Sequence, residues 1–396
     1  MNQIKVGYLS NNYPEKRTII NIIPEAKYNR IFNLAKGGIF TLILMEKFRI
    51  PISKKFKFDL NFTFFAFKCE VDILHFFNQV SISKKPWIST FETMLPRYSS
   101  TLNHQEKGVL KGDWRVKQAI RAISKDNCKK IIALSENSLK FQLRLLDHYP
   151  QEKEKIKNKI IVLHPPQKLY IKNYNEKKSH LNDELSFIFV GRDFFRKGGL
   201  EILRAFEAIQ KKHNLPITLT IVSTLMIGDY ASQSGKEESE VAHKIIANNK
   251  KWINYYEELP NEEVISLMKK HHVGLLPTWA DTYGYSVLEM QATGCPVITT
   301  DIRALPEIND EDKGWVIKIP KNDLGEALYN TREERQILST SIKDSLEQLI
   351  LEIFENKAIL INKSKKAIDS IINNHSLENY SNKMSVIYKE ALGLIE

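Results

Sequence analysis

The 396-residue chain is poor in cysteine, in glycine and in long apolar runs. Its three cysteines, Cys69, Cys128 and Cys295, are far apart and odd in number, which excludes a disulfide framework, and no C-x-x-C pair offers a zinc or redox motif. Sixteen glycines fall below the usual share of roughly 7% and rule out collagen-like and Gly-rich linker architectures. No stretch reaches the ~18 apolar residues needed to cross a bilayer. The densest runs, Phe62–Phe67 and Ile188–Val190, are strand-sized, and the Phe-rich one reads as a buried strand rather than a lipid anchor. The opening MNQIKVGYLSNNYPEK has no apolar signal core and no small-residue cleavage site, so a cytoplasmic location is expected. Neither G-x-G-x-x-G nor G-x-x-x-x-G-K-[ST] occurs, which removes the main support for nicotinamide dinucleotides and P-loop nucleotides. H-E-x-x-H is likewise missing, and no metal site is expected.

What is present is a globular composition, 42% apolar and 10% aromatic, over a length that suits two or three domains. The formal net charge of +11 is unevenly spread. Residues 1–165 hold 29 Lys and Arg against 14 Asp and Glu, whereas the remainder holds 29 against 33. A strongly basic half followed by a mildly acidic one suggests that the first half meets an anionic surface. Lys54, Lys55 and Lys57 form one basic cluster, and Lys107, Lys111, Arg115, Lys117 and Arg121 another. No docking element or stacking platform for nucleic acid accompanies them, so an anionic membrane surface fits better, each basic residue near a bilayer contributing about 1 kcal/mol.

Two α/β halves follow from the pattern. In the first, Lys5–Ser10, Ile73–Phe76, Trp87–Phe91, Lys130–Ser135 and Lys159–Leu163 read as strands, and Ala119–Ala122 and Ser138–Asp147 as helical. A polar stretch from Pro165 to Glu184 reads as a linker. In the second, Ser186–Val190, Leu219–Val222, Ile253–Tyr256, Val273–Pro277, Val297–Thr300 and Trp315–Ile319 are expected strands, with helices at Gly198–His213, Asn261–His271 and Ser286–Thr293. Short apolar strands alternating with helices imply parallel sheets covered on both faces, with ligands at the carboxyl edge. From about Leu338 the pattern is helical, with a stripe at Ile342, Leu346, Leu349 and Ile350 and a last helix at Leu377–Leu392.

Two segments carry chemistry. In FIFVGRDFFRKGGLEILRAFEAI, residues 187–209, a buried strand ends at Gly191, Arg192 and Lys197 follow, and a helix opens near Gly198. A helix mouth with cations beside it is a phosphate site in outline, though an ordinary strand–helix turn has the same outline. In LLPTWADTYGYSVLEMQATGCPVITTDIRALPEI, residues 275–308, a strand ends at Pro277 and a helix opens near Ser286. Asp281 lies in the intervening loop and Glu289 one turn into the helix. The amides of Tyr283–Val287 would meet a diphosphate, and a carboxylate in that helix can accept two vicinal hydroxyls.

Together the segments resemble the donor-binding half of retaining glycosyltransferases with the GT-B fold, particularly glycosyltransferase family 4. That family has G-R-x(4)-K-G after a strand, here Gly191-Arg192…Lys197-Gly198. It then has P-S-x-x-E-G-F-G-x-x-x-L-E-A-x-A-x-G-x-P-V, here PTWADTYGYSVLEMQATGCPV. The resemblance implies two Rossmann-like domains with a cleft between them, residues 1–167 binding the acceptor and 168–376 the donor, and a C-terminal helix, 377–396, crossing back to the first. It implies that Arg192 and Lys197 neutralise a donor diphosphate, Glu289 holds ribose hydroxyls, and Asp281 stands near the transferred sugar. Gly191, Thr282, Tyr283, Gly284 and Tyr285 would line the donor, Ser286 and Val287 would sit by the phosphates, and Glu307 would be structural or near the nucleoside. No cofactor or metal is implied, since the cations and the helix end take the metal's role. The implied partners are a nucleotide-sugar donor and a glycan, lipid-linked or other hydroxyl acceptor, as in bacterial surface polysaccharide or glycolipid synthesis. A non-catalytic nucleotide-sugar-binding homologue, an epimerase and a phosphorylase are the alternatives.

The chain departs from the family at several points. Asp281 is one methylene shorter than the usual Glu, and Thr282 replaces Gly. The Gly-rich loop after the first strand reads SNNYPEKRT, with Lys36-Gly37-Gly38 as a substitute. Where the family often has His, WISTFETMLPRY offers Glu92. Glu92 and His75 are the acceptor-side candidates, His75 reading somewhat better as a core histidine than as a residue facing the cleft. His271-His272 reads as compensation of a helix dipole, and Asp310-Glu311-Asp312 as a solvated turn.

Overall fold

The computed structural model describes residues 3–34, 54–66, 69–102, 113–177, 184–228 and 230–395. Lys36-Gly37-Gly38, Lys107 and Lys111 lie outside them. The chain divides into two compact units, Met1–Pro166 with Leu377–Glu396, and Gln167–Ser376.

The first unit is built on strands Lys5–Tyr8 (β1), Lys27–Arg30 (β2), Ile73–Phe77 (β4), Trp87–Phe91 (β6), Cys128–Ala133 (β7) and Ile160–Val162 (β8). They form one sheet in the order β2-β1-β4-β6-β7-β8, parallel throughout. Every residue of β4 and β6 is buried, as befits central strands covered on both faces. The Phe-rich run yields only Thr63–Phe64 (β3), which pairs with Val80–Ser81 (β5) in a two-stranded ribbon. Phe64 is buried there, its ring 4.9 Å from that of Phe76.

The helix Leu377–Ala391 packs on this sheet, as the family resemblance implied. Tyr380, Met384, Ile387, Tyr388 and Ala391 cluster with Val6, Ile73, Ile88 and Ile132 from four neighbouring strands. At about 1.5–3 kcal/mol for each large side chain removed from water, this face binds the chain's end firmly to its beginning. The buried His75 sits inside the contact, with Nδ1 2.7 Å from Tyr388 Oη and Nε2 2.9 Å from Thr90 Oγ1.

The second unit carries strands Leu185–Val190 (β9), Ile217–Val222 (β10), Ile253–Tyr256 (β11), Val273–Leu276 (β12), Val297–Thr300 (β13) and Trp315–Ile317 (β14). They form a parallel sheet in the order β11-β10-β9-β12-β13-β14. The chain enters in the middle at β9, builds outward through β10 and β11, then returns to lay β12 on β9's other side. The loops after β9 and β12 therefore diverge from adjacent strands, which makes their carboxyl ends the topological switch point where ligands bind in open α/β sheets.

Candidate functional site

Both motif loops leave the sheet at this switch point. After β9, the Gly191 N–H still donates to Val222 O at 3.1 Å, and the chain then turns through 193–198 into the helix Gly199–His213. Gly198 has φ +82°, and a Cβ there would lie 2.2 Å from Pro277 O, so only glycine lets this turn rest on the β12 loop. Gly191 serves space instead: a Cβ there would fall 2.5 Å from Lys197 Cδ. The lysine stem crosses over the strand end, which fixes where its ammonium points.

That ammonium reaches the other loop. Lys197 Nζ lies 3.5 Å from Asp281 Oδ2, the two side chains being 17% and 13% exposed. Burial works against the Asp281 charge, but Lys197 and then Arg196 outweigh it, and together with the Tyr283 N–H they hold the carboxyl below the ordinary carboxylate range. Arg196 stitches the loops together. It pairs with Asp193 and donates from Nη1 to Ala280 O, while its own carbonyl accepts from Trp279 N–H at 2.9 Å and Thr278 Oγ1 at 3.1 Å. The sequence motif did not single out Arg196, because its role depends on a contact across the sheet edge; its Asp193 partner three residues earlier is the only local trace.

The β12 loop ends at Gly284, whose φ of +95° and close approach to Leu305 again require glycine, and the helix Tyr285–Ala292 follows. Val287, Leu288, Met290, Gln291 and Ala292 are buried, leaving Tyr285, Ser286 and Glu289 half-buried on the accessible face. Glu289 lies one turn beyond Tyr285, on the same face. Val287 N–H donates to Gly284 O at 2.9 Å, and the helix mouth carries the positive end of its dipole. The Ser286 hydroxyl is buried without a hydrogen bond. Thr282 is half-buried and Tyr283 buried, its ring 5.3 Å from that of Tyr285. The helix is held from behind by Gln291, whose Nε2 donates to Ile308 O at 2.9 Å, and by Asn309, which bonds Val297 O, Thr299 Oγ1 and Trp315 O. Glu307 is half-buried in the short helix Leu305–Ile308 after β13, on the same sheet edge.

The structure thus joins Lys197 to Asp281 and brings the 283–289 segment to the same edge. Arg192 is exposed just beyond the end of β9. Glu92 follows β6 in the first unit, paired with Arg97 and bonded to Asn78. His75, by contrast, is fully buried with both ring nitrogens engaged, so it serves the core; burial pushes it down to about 3 and keeps it neutral. His271 does not compensate a helix dipole as a cation. Burial pushes it down to about 4, and it acts as a neutral bridge between Leu267 O at 2.6 Å and Thr220 Oγ1 at 2.7 Å. The acidic triplet is tied rather than free, Asp310 to Lys313, Asp312 to Lys366 and Glu311 Oε1 to Val316 N–H. Among the described residues no group of His, Cys, Asp and Glu is placed to hold a metal.

Two Rossmann-like units, each built on a parallel six-stranded sheet, with the final helix returned to the first, are the GT-B architecture. Residues 171–342, in the second unit, match the family described as glycosyl transferases group 1. Over 143 residues it is 25% identical to the uncharacterized glycosyltransferase MJ1607 of Methanocaldococcus jannaschii, a match covering 36% of this chain and 33% of that protein. The chain thus spans about one third of the length of that curated relative. Anabaena HepE, solved in complex with UDP, aligns with a TM-score of 0.60 at 10% identity over 98% of this chain and 100% of its own. WaaG, a glycosyltransferase involved in lipopolysaccharide biosynthesis, aligns at 0.58 and 14% identity over 97% and 99%. These likenesses establish the fold.

Proposed function

We propose that the chain transfers a sugar from a nucleoside-diphosphate sugar to a hydroxyl acceptor, retaining the anomeric configuration. The observation that carries this reading is the Lys197–Asp281 pair, 3.5 Å apart at the switch point of the sheet, beside a helix mouth. The diphosphate competes with Asp281 for Lys197, with Arg192 turning in from the exposed strand end and Ser286 and Val287 meeting a phosphate at the helix start. Glu289 accepts from the ribose hydroxyls. Asp281, held ionised, stands by the transferred sugar, with Thr282, Tyr283, Gly284 and Tyr285 around it, and Glu307 lies towards the nucleoside. In the reaction the bond from the anomeric carbon to the diphosphate oxygen breaks and a bond to the acceptor oxygen forms. The acceptor's proton passes to the departing phosphate, whose charge Lys197 and Arg192 stabilise.

The acceptor we infer is a glycan or lipid-linked hydroxyl at an anionic membrane surface, as in surface polysaccharide or glycolipid synthesis; Glu92 is the proposed acceptor-side residue. Support comes from the helix Trp114–Ser124, whose outward positions Trp114, Lys117, Gln118 and Arg121 form one face. Trp114 is 61% exposed, and an aromatic among lysines and arginines suits a headgroup region. No helix among the described residues is long and apolar enough to cross a membrane.

A thermal-shift screen of UDP-, GDP-, ADP- and TDP-sugars tests the reading. One donor class should raise the melting midpoint by mass action, its binding adding about 2.7 kcal/mol of stability at a hundredfold excess over Kd. Product analysis with that donor should then give a glycoside. A free epimerised nucleotide, or a demand for phosphate, would assign the chain to the epimerase or phosphorylase alternative. Binding with no turnover on any acceptor would make it a non-catalytic homologue.

A further inference from the structure

The second unit contains a cavity of about 480 Å³ that the proposed reaction does not use. It lies between the helix Gly199–His213, the 232–234 segment, Trp279 and the helix Arg332–Glu355, and three guanidinium groups, Arg204, Arg332 and Arg335, line it. Arg204 and Arg332 are exposed, while Arg335 gives Nη1 to Tyr329 O at 2.9 Å and Asn330 O at 3.1 Å. The helices Lys236–Asn248 and Arg332–Glu355 both begin at the cavity, so two dipole ends add to the arginine charge. Of the two carboxylates in the wall, Glu238 is committed to the Gly235 N–H at 2.8 Å.

The other, Glu201, is 3% exposed. Its Oε1 accepts from Ser339 Oγ at 2.6 Å, and the buried indole of Trp279 lies against the same carboxylate, although Glu201 Oε2 and Trp279 Nε1 do not reach full hydrogen-bond geometry. An imperfectly made buried contact of this kind is one that a ligand hydroxyl placed between the carboxylate and the indole could complete. Burial drives the Glu201 carboxyl above the ordinary range, outweighing the Ser339 and Trp279 donors and the Arg204 charge that pull it down.

We propose that this cavity is a second ligand site, for a phosphorylated sugar or polyol. The phosphate lies on Arg204, Arg332 and Arg335, and a small rotation of Glu201 or Trp279 lets a ligand hydroxyl meet the Glu201 carboxylate and the Trp279 indole. The cavity's size falls within the range of small-molecule sites. Its walls are continuous with the Lys197–Asp281 pair: Phe195 and Trp279 each line the cavity two residues before one member of that pair, and Trp279 N–H is bonded to Arg196 O. Occupancy therefore sets the two loops that hold the donor, a consequence that rests on the proposed function; the binding itself does not.

Titration calorimetry of the full chain, without nucleotide, tests the site with glucose 6-phosphate, inorganic phosphate and glucose. Glucose 6-phosphate should saturate at millimolar concentration, inorganic phosphate should bind about tenfold more weakly, and glucose should give no saturable heat. Arg204→Ala with Arg332→Ala, both exposed and expected to leave the fold intact, should weaken glucose 6-phosphate about tenfold or more, whereas Lys197→Ala should leave it unchanged. No heat with either phosphate overturns the site. Equal affinity for the two phosphates overturns the hydroxyl contact with Glu201 and Trp279. Loss in Lys197→Ala with retention in the double arginine variant places the ligand at the donor loops and overturns the proposal.

Discussion

Lys197 and Asp281 are far apart in sequence and meet because β9 and β12 are neighbours in the sheet. The motif spacing made both residues visible before any coordinates. Arg196 and Trp279 were not visible, since one acts through a carbonyl across the sheet edge and the other through a buried indole. If the pair works as proposed, Lys197→Ala should lower turnover with the identified donor by about 10²-fold or more, with the melting midpoint of the free protein little changed, consistent with loss of electrostatic stabilisation. Near-normal turnover would contradict the assignment. A second consequence concerns protons. His75 and His271 are held neutral by burial, at about 3 and about 4, below the ~6.5 of an unfolded chain. The unfolded state therefore binds more protons as pH falls from about 6.5, and stability is lost through that window. Each histidine should cost about 2 kcal/mol at pH 5 relative to pH 7. Melts across this range should show the fall, with a shallower dependence in His271→Asn; an identical profile in that variant would mean that His271 titrates normally.

At the scale of elements, the strands that were legible are those with β-branched or aromatic runs buried on both faces, such as β6 and β9. The edge strand β2 was not, because KYNR carries no apolar alternation and is only partly buried. The helix Lys236–Asn248 was also missed, for it buries only Ala242 and Ile245. The long helix Arg332–Glu355 begins earlier than its apolar stripe suggested, at a capping box between Thr331 and Glu334. The basic clusters were legible as charge but not as surface: Arg115 is committed to Asp59 at 2.6 Å and to Asp113, which leaves Lys117 and Arg121 to face outward. Flotation with anionic vesicles should therefore show salt-sensitive binding that falls in Trp114→Ala with Lys117→Ala. Absence of binding to anionic vesicles at low salt would remove the membrane from the proposed function.

At the scale of the whole molecule, the charge asymmetry and the two α/β halves were legible because each unit repeats one rule, short buried strands alternating with helices. The return of the last helix to the first unit was implied only by family resemblance; its cause is a face of Tyr380, Met384, Ile387 and Tyr388 that is buried against the first sheet. The account's central claim is that the carboxyl edge of the second sheet grips a diphosphate. The most direct test compares, by titration calorimetry, the nucleoside diphosphate and monophosphate of whichever base the donor screen identifies, in the native chain and in Lys197→Ala. The account predicts a native preference for the diphosphate of about tenfold or more, one ion contact being worth about 1.4 kcal/mol or more in this half-buried setting, and collapse of that preference in the variant. Equal affinities for the two nucleotides in the native chain, or a preference that survives the loss of Lys197, would contradict it.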